Sequence, residues 1–266
     1  AELSLLLSAG TDLHSFQPSA KDILTISSAD LLIYVGGESD AWVKEVLENP
    51  LNPNLKALSL MEALGKDVKA EEIVEGMEHA SEDEGREEAD EHIWLSLRNA
   101  EKLTGVIAEA LSELDPDQGE IYLQNARGYT AALDALDQTY AEMIQNAAFH
   151  TLLFGDRFPF RYLTEDYGLT YYAAFSGCSA DVEASFQTIA FLSSKMDELH
   201  LPAVLTLENP QPRLAETIVE NTRAKNQAIL ALNSMQGITA AELEGGATYL
   251  SIMEQNETIL RKALNE

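Results

Sequence analysis

The chain has 266 residues, enough to bury a substantial core as one large domain or two smaller lobes, which excludes disorder throughout. Its 45 Asp and Glu against 17 Lys and Arg give a formal charge of −28, so the basic face that nucleic-acid binding requires is missing and cations or cationic surfaces are the better partners. A single cysteine, Cys178, excludes an internal disulfide, and no apolar run reaches membrane-spanning length.

Leu3 to Leu7 read as a short buried strand, followed by a turn at Ser8 to Asp12 and by His14 on the loop beyond it. The start carries neither an initiator Met nor a basic leader region, which suggests processing or trimming. Ser19 is placed to cap a helix from Ala20, with Asp22 in its first turn. The run Asp30 to Val35, closed by Gly36 and Gly37, has the pattern of a buried parallel strand ending in a loop. A helix over Ala41 to Leu47, a turn at Asn49 to Asn54 and a strand over Lys56 to Leu60 follow. Ligand sites in such alternating folds lie at the carboxyl ends of strands, where His14, Gly36, Gly37 and Glu38 fall.

From Glu71 to Glu91 acidic and small residues replace the apolar periodicity, so this stretch reads as a mobile surface loop. Its ordinary role is a solvated tether; its other role would be weak capture of divalent cations by His79 and the carboxylates. His92 stands where the acidic stretch gives way to a helical pattern. By position alone it is a solvent-exposed histidine near a helix start, although Asp90 and Glu91 could orient its ring toward a metal.

A helix runs from about Leu95 to Leu114, and Tyr122, Ala126, Tyr129, Leu133, Leu136, Tyr140 and Met143 then mark one long amphipathic helix. Beyond it come strands at Thr151 to Phe154, Tyr171 to Phe175, Ala203 to Leu207 and Ala228 to Leu232. Helices at about Ser185 to Leu199, Arg213 to Lys225 and Tyr249 to Leu264 complete the second half. The fold class is α/β: two lobes, each a mostly parallel sheet flanked by helices, joined by a long rigid helix. The expected divisions are an amino-terminal lobe over 1–117, a connecting helix over 118–146 and a carboxyl-terminal lobe over 147–266.

Nucleophilic catalysis has little support, because Cys178 has no readable histidine partner and no G-x-S-x-G elbow exists. Gly36-Gly37 is a pair without the Walker lysine, so no phosphate cradle is present in the motif sense. His150 and His200 read as surface or capping residues. Glu208, at a strand end, either faces the cleft or caps the following helix.

Three collinear motifs carry a resemblance: Gly10-Thr11-Asp12-Leu13-His14-Ser15-Phe16-Gln17-Pro18-Ser19, Ala29-Asp30-Leu31-Leu32-Ile33-Tyr34-Val35-Gly36-Gly37 and Asp90-Glu91-His92-Ile93-Trp94-Leu95. Together they resemble the zinc- and manganese-binding lipoproteins of bacterial ABC transporters, the cluster A-I solute-binding proteins that include ZnuA-like zinc binders. The resemblance implies one divalent metal held in a cleft between the lobes, with His14 and His92 on the family's first two histidine positions. It also implies an extracytoplasmic monomer at the cell surface or in the periplasm, tethered by a removed lipid-anchor segment, that delivers Zn2+, or less readily Mn2+, to an ABC permease.

The second lobe departs from that pattern. Where the family has H-x-A-F-x-Y, this chain has Arg157-Phe158-Pro159-Phe160-Arg161-Tyr162, and arginine cannot ligate a metal. Asp156 is the nearest competent substitute, and Leu232 to Gly237 offers only the neutral amides of Asn233 and Gln236 where an acid is common. The implied site is therefore His14, His92 and Asp156 completed by water or Glu208, or two histidines with Cys178, Gln236 or another partner. The resemblance further implies that an opening strand and helix are absent before Leu3, leaving the first lobe destabilised or completed by a partner. Two other readings stand beside the receptor: an adhesin-like or structural surface protein with a degraded metal site, and a metal-dependent hydrolase using an open zinc position.

Overall fold

A computed structural model describes residues 2–7, 11, 13–78, 88–177, 184–208 and 212–265. Ser19 and Asp22 close a reciprocal capping box, the Ser19 hydroxyl accepting from Asp22 N and the Asp22 carboxylate accepting from Ser19 N, and so start α1, Ala20–Ser28. The chain turns directly into β1, Leu31–Tyr34, and crosses through α2, Val43–Leu47, to β2, Lys56–Ser59. The two strands pair in parallel, from Leu31 opposite Lys56 to Tyr34 opposite Ser59. Ile26, Leu32 and Val43 form a small core there, covered by Leu6, Tyr34 and Trp42.

After α3, Leu60–Leu64, the first half ends in α4, Leu97–Leu114, which packs along α5, Gly119–Gln145. The 27 residues of α5 make a rod about 40 Å long. Its apolar stripe is buried only over its second half, at Leu133, Leu136, Tyr140, Met143 and Ile144, while Tyr129 remains exposed. The buried phenol of Tyr140 donates to Met253 O at 2.6 Å and so ties this rod to the last helix.

The second sheet is built from β3, Thr151–Phe158, β4, Thr170–Ser176, β5, Ala203–Thr206, and β6, Ala228–Ala231, all parallel in the order β4-β3-β5-β6. Between them run α6, Arg161–Tyr167, α7, Phe186–Leu199, and α8, Arg213–Asn221; α9, Ala240–Glu244, and α10, Tyr249–Ala263, follow. Alternation along the strands divides the core. Leu152, Phe154 and Leu205 face the side of α5 and α10, whereas Leu153 and Val204 face α7 and α8. The α/β class with two parallel sheets, flanking helices and one long helix is as the sequence implies.

Three local readings change. Leu3 to Leu7 is not a strand: β1 is paired only with β2 among the described residues, and without a neighbouring edge the run leaves Leu3 and Leu5 exposed and packs Leu6 alone. β3 continues four residues past Phe154, so Gly155 and Asp156 lie within the strand, at a shift in register between Phe154 and Arg157. The acidic stretch is anchored at both ends. Ala70 bridges Ala89, Glu72 accepts from Arg161 and Tyr171, and Glu78 accepts from Ser185 N and Thr188 Oγ1. Residues 79–87, with His79, lie outside the described residues, as does Cys178. The two short helices α3 and α9 carried no periodic signal long enough to read.

Leu133→Ala, at a fully buried position of α5, is expected to destabilise the protein by about 2–5 kcal/mol, read as a lower urea midpoint at unchanged slope. Ile121→Ala, on the exposed part of the same helix, is expected to stay within about 0.5 kcal/mol of the parent.

Candidate metal centre

His14 sits on a single 3₁₀ turn, Leu13–Ser15, ahead of α1, and His92 immediately precedes another, Ile93–Leu95, ahead of α4. The two rings meet edge to face, with Nε2 of each 3.0 Å from Nε2 of the other. His92 is completely buried and His14 partly so, its side chain 13% exposed. The position of His92 beside an acidic run favoured exposure; Tyr162 and the β-bridge at Ala89 instead draw that run inward.

The far nitrogens fix what the near ones can do. His92 Nδ1 lies 2.9 Å from Asp90 Oδ1, and an ionised carboxylate only accepts, so Nδ1 carries the proton and Nε2 presents a lone pair. The same oxygen accepts from His92 N at 2.8 Å, locking the ring to its own backbone. His14 Nδ1 lies 2.8 Å from Ser39 Oγ and 3.5 Å from Glu91 Oε2, the second a charge contact too long for a good hydrogen bond. With the proton on that nitrogen, donated to Ser39 Oγ, His14 Nε2 presents a second lone pair facing the first. Two lone pairs at 3.0 Å repel unless a cation or a donor stands between them. Two ligands of a tetrahedral zinc with arms of about 2.0–2.1 Å sit about 3.3 Å apart, close to the spacing seen here.

Asp90 and Glu91 therefore divide their work: Asp90 orients His92, and Glu91 faces His14. Burial alone would push the Glu91 carboxyl up, but the contact to His14 and the donors of Ser39 outweigh it and hold the group below its ordinary value. Gly37, with φ of +84°, is required at this point, because a Cβ there would fall 2.2 Å from Glu91 Oε1. Gly177 guards the other side, where a Cβ would meet the His92 ring at 2.8 Å.

Among the described residues, Gln236, from the loop after β6, reaches both imidazoles from the second half. Its Nε2 is 3.1 Å from His14 Nε2 and in close contact with His92 Nε2, while its buried Oε1 has no hydrogen-bond partner. Glu208 shapes that loop by accepting from Ser234 N and Ser234 Oγ, both at 2.8 Å. Trp94 donates from Nε1 to Ser234 O at 2.9 Å, tying the segment after His92 to the same loop.

Asp156 does not join the histidines. Its Oδ2 accepts from Leu207 N at 3.0 Å and its Oδ1 from Arg157 N at 2.8 Å, so both oxygens are committed to backbone donors where β3 meets β5. The sequence reading ended the strand at Phe154, whereas β3 runs on to Phe158 and holds Asp156 within it. Arg157 lies in the same strand opposite Phe175. Among the described residues, no three His, Cys, Asp or Glu side chains surround one point; the third group here is an amide. Ser39, Trp94, Gly177 and the loop-holding role of Glu208 were missed, and only the Gly36-Gly37 pair signalled a close approach in advance.

Comparison with known proteins places the chain among relatives. The zinc-binding lipoprotein AdcA of Streptococcus pneumoniae serotype 4 is 31% identical over 268 residues, covering 100% of this chain and 52% of that protein. This chain thus spans about half the length of the curated AdcA relatives it matches. The high-affinity zinc uptake system protein ZnuA of Bacillus subtilis is 27% identical over 269 residues, covering 99% of this chain and 81% of its own length. The crystal structure of the Zn(II)-bound ZnuA-like domain of Streptococcus pneumoniae AdcA superposes with a TM-score of 0.78 at 29% identity, covering 100% of this chain and 91% of that one. With the family model for ZnuA, the periplasmic zinc-uptake complex component A, matching residues 1–263, the chain belongs to that family.

Proposed function

We propose that this chain is the zinc-capturing part of an extracytoplasmic receptor that hands the metal to an ABC permease, and that it performs no chemistry on its cargo. The observation that carries the reading is the pair of imidazole Nε2 atoms 3.0 Å apart, with Asp90 on the opposite nitrogen of His92 and Ser39 on that of His14. Two imidazole nitrogens so placed and so oriented by their far-side partners are suited to share a divalent cation. His14 and His92 are the ligands, Asp90 fixes the His92 tautomer, and Gln236 closes the site from the second half. Asp156 takes the part its bonds give it, bracing the strands beneath the site.

The known zinc binders among the relatives support zinc as the cargo, and the lipoprotein relatives support attachment to a membrane through a lipid anchor. Among the described residues no helix is long and apolar enough to cross a membrane, so in this reading the permease supplies the passage.

Metal analysis and titration calorimetry test the proposal directly. One zinc per chain is expected, with affinity falling at least ~100-fold in His92→Ala and in His14→Ala; weak binding that neither substitution alters would defeat the receptor reading. Asp90→Asn should cost about 10–100-fold in zinc affinity while the fold persists, because an amide can present a donor to Nδ1 and no longer dictates the tautomer. An unchanged affinity in that variant would show that Asp90 does not set the state of His92.

A further inference from the structure

Gln236 holds a position that neither histidine explains. It is 5% exposed, its amide nitrogen faces both lone pairs, and its carbonyl oxygen is buried without a partner. A neutral amide can do two opposite things from one place: donate through nitrogen to a lone pair, or offer an oxygen lone pair to a cation. It cannot do both in the same orientation.

Resting on the zinc-receptor reading, we propose that Gln236 is an amide gate that sets how readily zinc enters and leaves. Without metal, its NH2 donates to His14 Nε2 and His92 Nε2, satisfying both and holding the rings in place at the expense of its own orphaned oxygen. With metal, the amide turns over to present Oε1, because NH2 hydrogens repel a cation. Only the side chain has to move. The backbone around it is fixed by Glu208 on Ser234, by Asn256 on Asn233 N and O, and by Asn233 Oδ1 on Met235 N, with Met235 held at φ 60°. An ionised carboxylate at this position would have no donor form, so it would bind the cation without ever occupying its place.

The gate makes a prediction whose sign separates it from a simple ligand. Zinc capture and release are followed by stopped-flow on the parent chain, Gln236→Ala, Gln236→Glu and His92→Ala. Gln236→Ala should capture zinc roughly tenfold faster, since the two hydrogen bonds no longer have to break first, whereas loss of a plain ligand would leave capture unchanged or slower. Gln236→Glu should bind at least about tenfold more tightly, through slower release. Side-chain amide NMR of the unsubstituted chain reads the same rotation, the Gln236 NH2 signals moving on zinc addition as their imidazole partners are lost; unmoved signals overturn the gate. If His92→Ala abolishes binding while both Gln236 variants keep parental rates, the gate alone is overturned. If His92→Ala binds zinc normally, the receptor reading fails and the gate falls with it.

Discussion

The hydrogen bond from His92 Nδ1 to Asp90 is the constraint on which the site depends, because it decides which nitrogen of a fully buried imidazole carries the proton. Much of the neighbouring structure keeps that bond in place. Tyr162, on α6, donates to Asp90 O at 2.7 Å and accepts from Lys69 N at 3.1 Å, while Asp90 N donates to Lys69 O. A buried phenol from the second half thus clamps the segment leading into His92 to the first-half segment at Lys69. Burial pushes the Tyr162 phenol up, so it stays a neutral hydrogen-bond donor.

The opposite wall is built by the same means at the carboxyl ends of the second sheet. Glu208 follows β5 and holds Ser234, which follows β6; Trp94 then joins Ser234 to the segment just after His92. Tyr249 at the start of α10 donates to Trp94 O at 2.7 Å, extending the tie to the helix that Tyr140 of α5 also grips. The loops beyond β1 and β6 meet because each parallel strand delivers its carboxyl end to one edge of its sheet. Gly36 N donating to Asp40 at 2.9 Å performs on the first sheet what Glu208 performs on the second.

Where the sequence was legible, a strong local signal agreed with the tertiary outcome. The Ser19-Asp22 box, the apolar run into Gly36-Gly37 and the 3.6-residue stripe of α5 each name their element, and the three collinear motifs pointed to His14 and His92. What could not be read depended on partners distant in the chain. Leu3 to Leu7 has the composition of a strand, yet strand formation is a property of two edges, and composition reports one. Asp156 looked available because the strand reads as ending at Phe154; the register shift that lets β3 continue through it is a matter of pairing with β4. Gln236 stood as one of several open partners, a neutral amide where an acid is common, and only its distance to the two histidines, 222 and 144 residues away along the chain, brings it into the site.

These corrections bear on which cation the site suits. Manganese prefers carboxylate and water oxygens, and a direct Asp156 ligand would have moved the donor set toward it. With Asp156 committed to Leu207 N and Arg157 N, the convergent groups are two imidazole nitrogens and one amide, a set closer to the borderline-soft character of zinc. Negative charge is still present, but behind the ligands, where Asp90 acts through the His92 ring and Glu91 lies against His14. A cation bound here would be balanced through its imidazoles rather than by direct contact with an anion. In the proposed receptor, that arrangement would favour selection by donor type over attraction of any divalent ion to the chain's large negative charge.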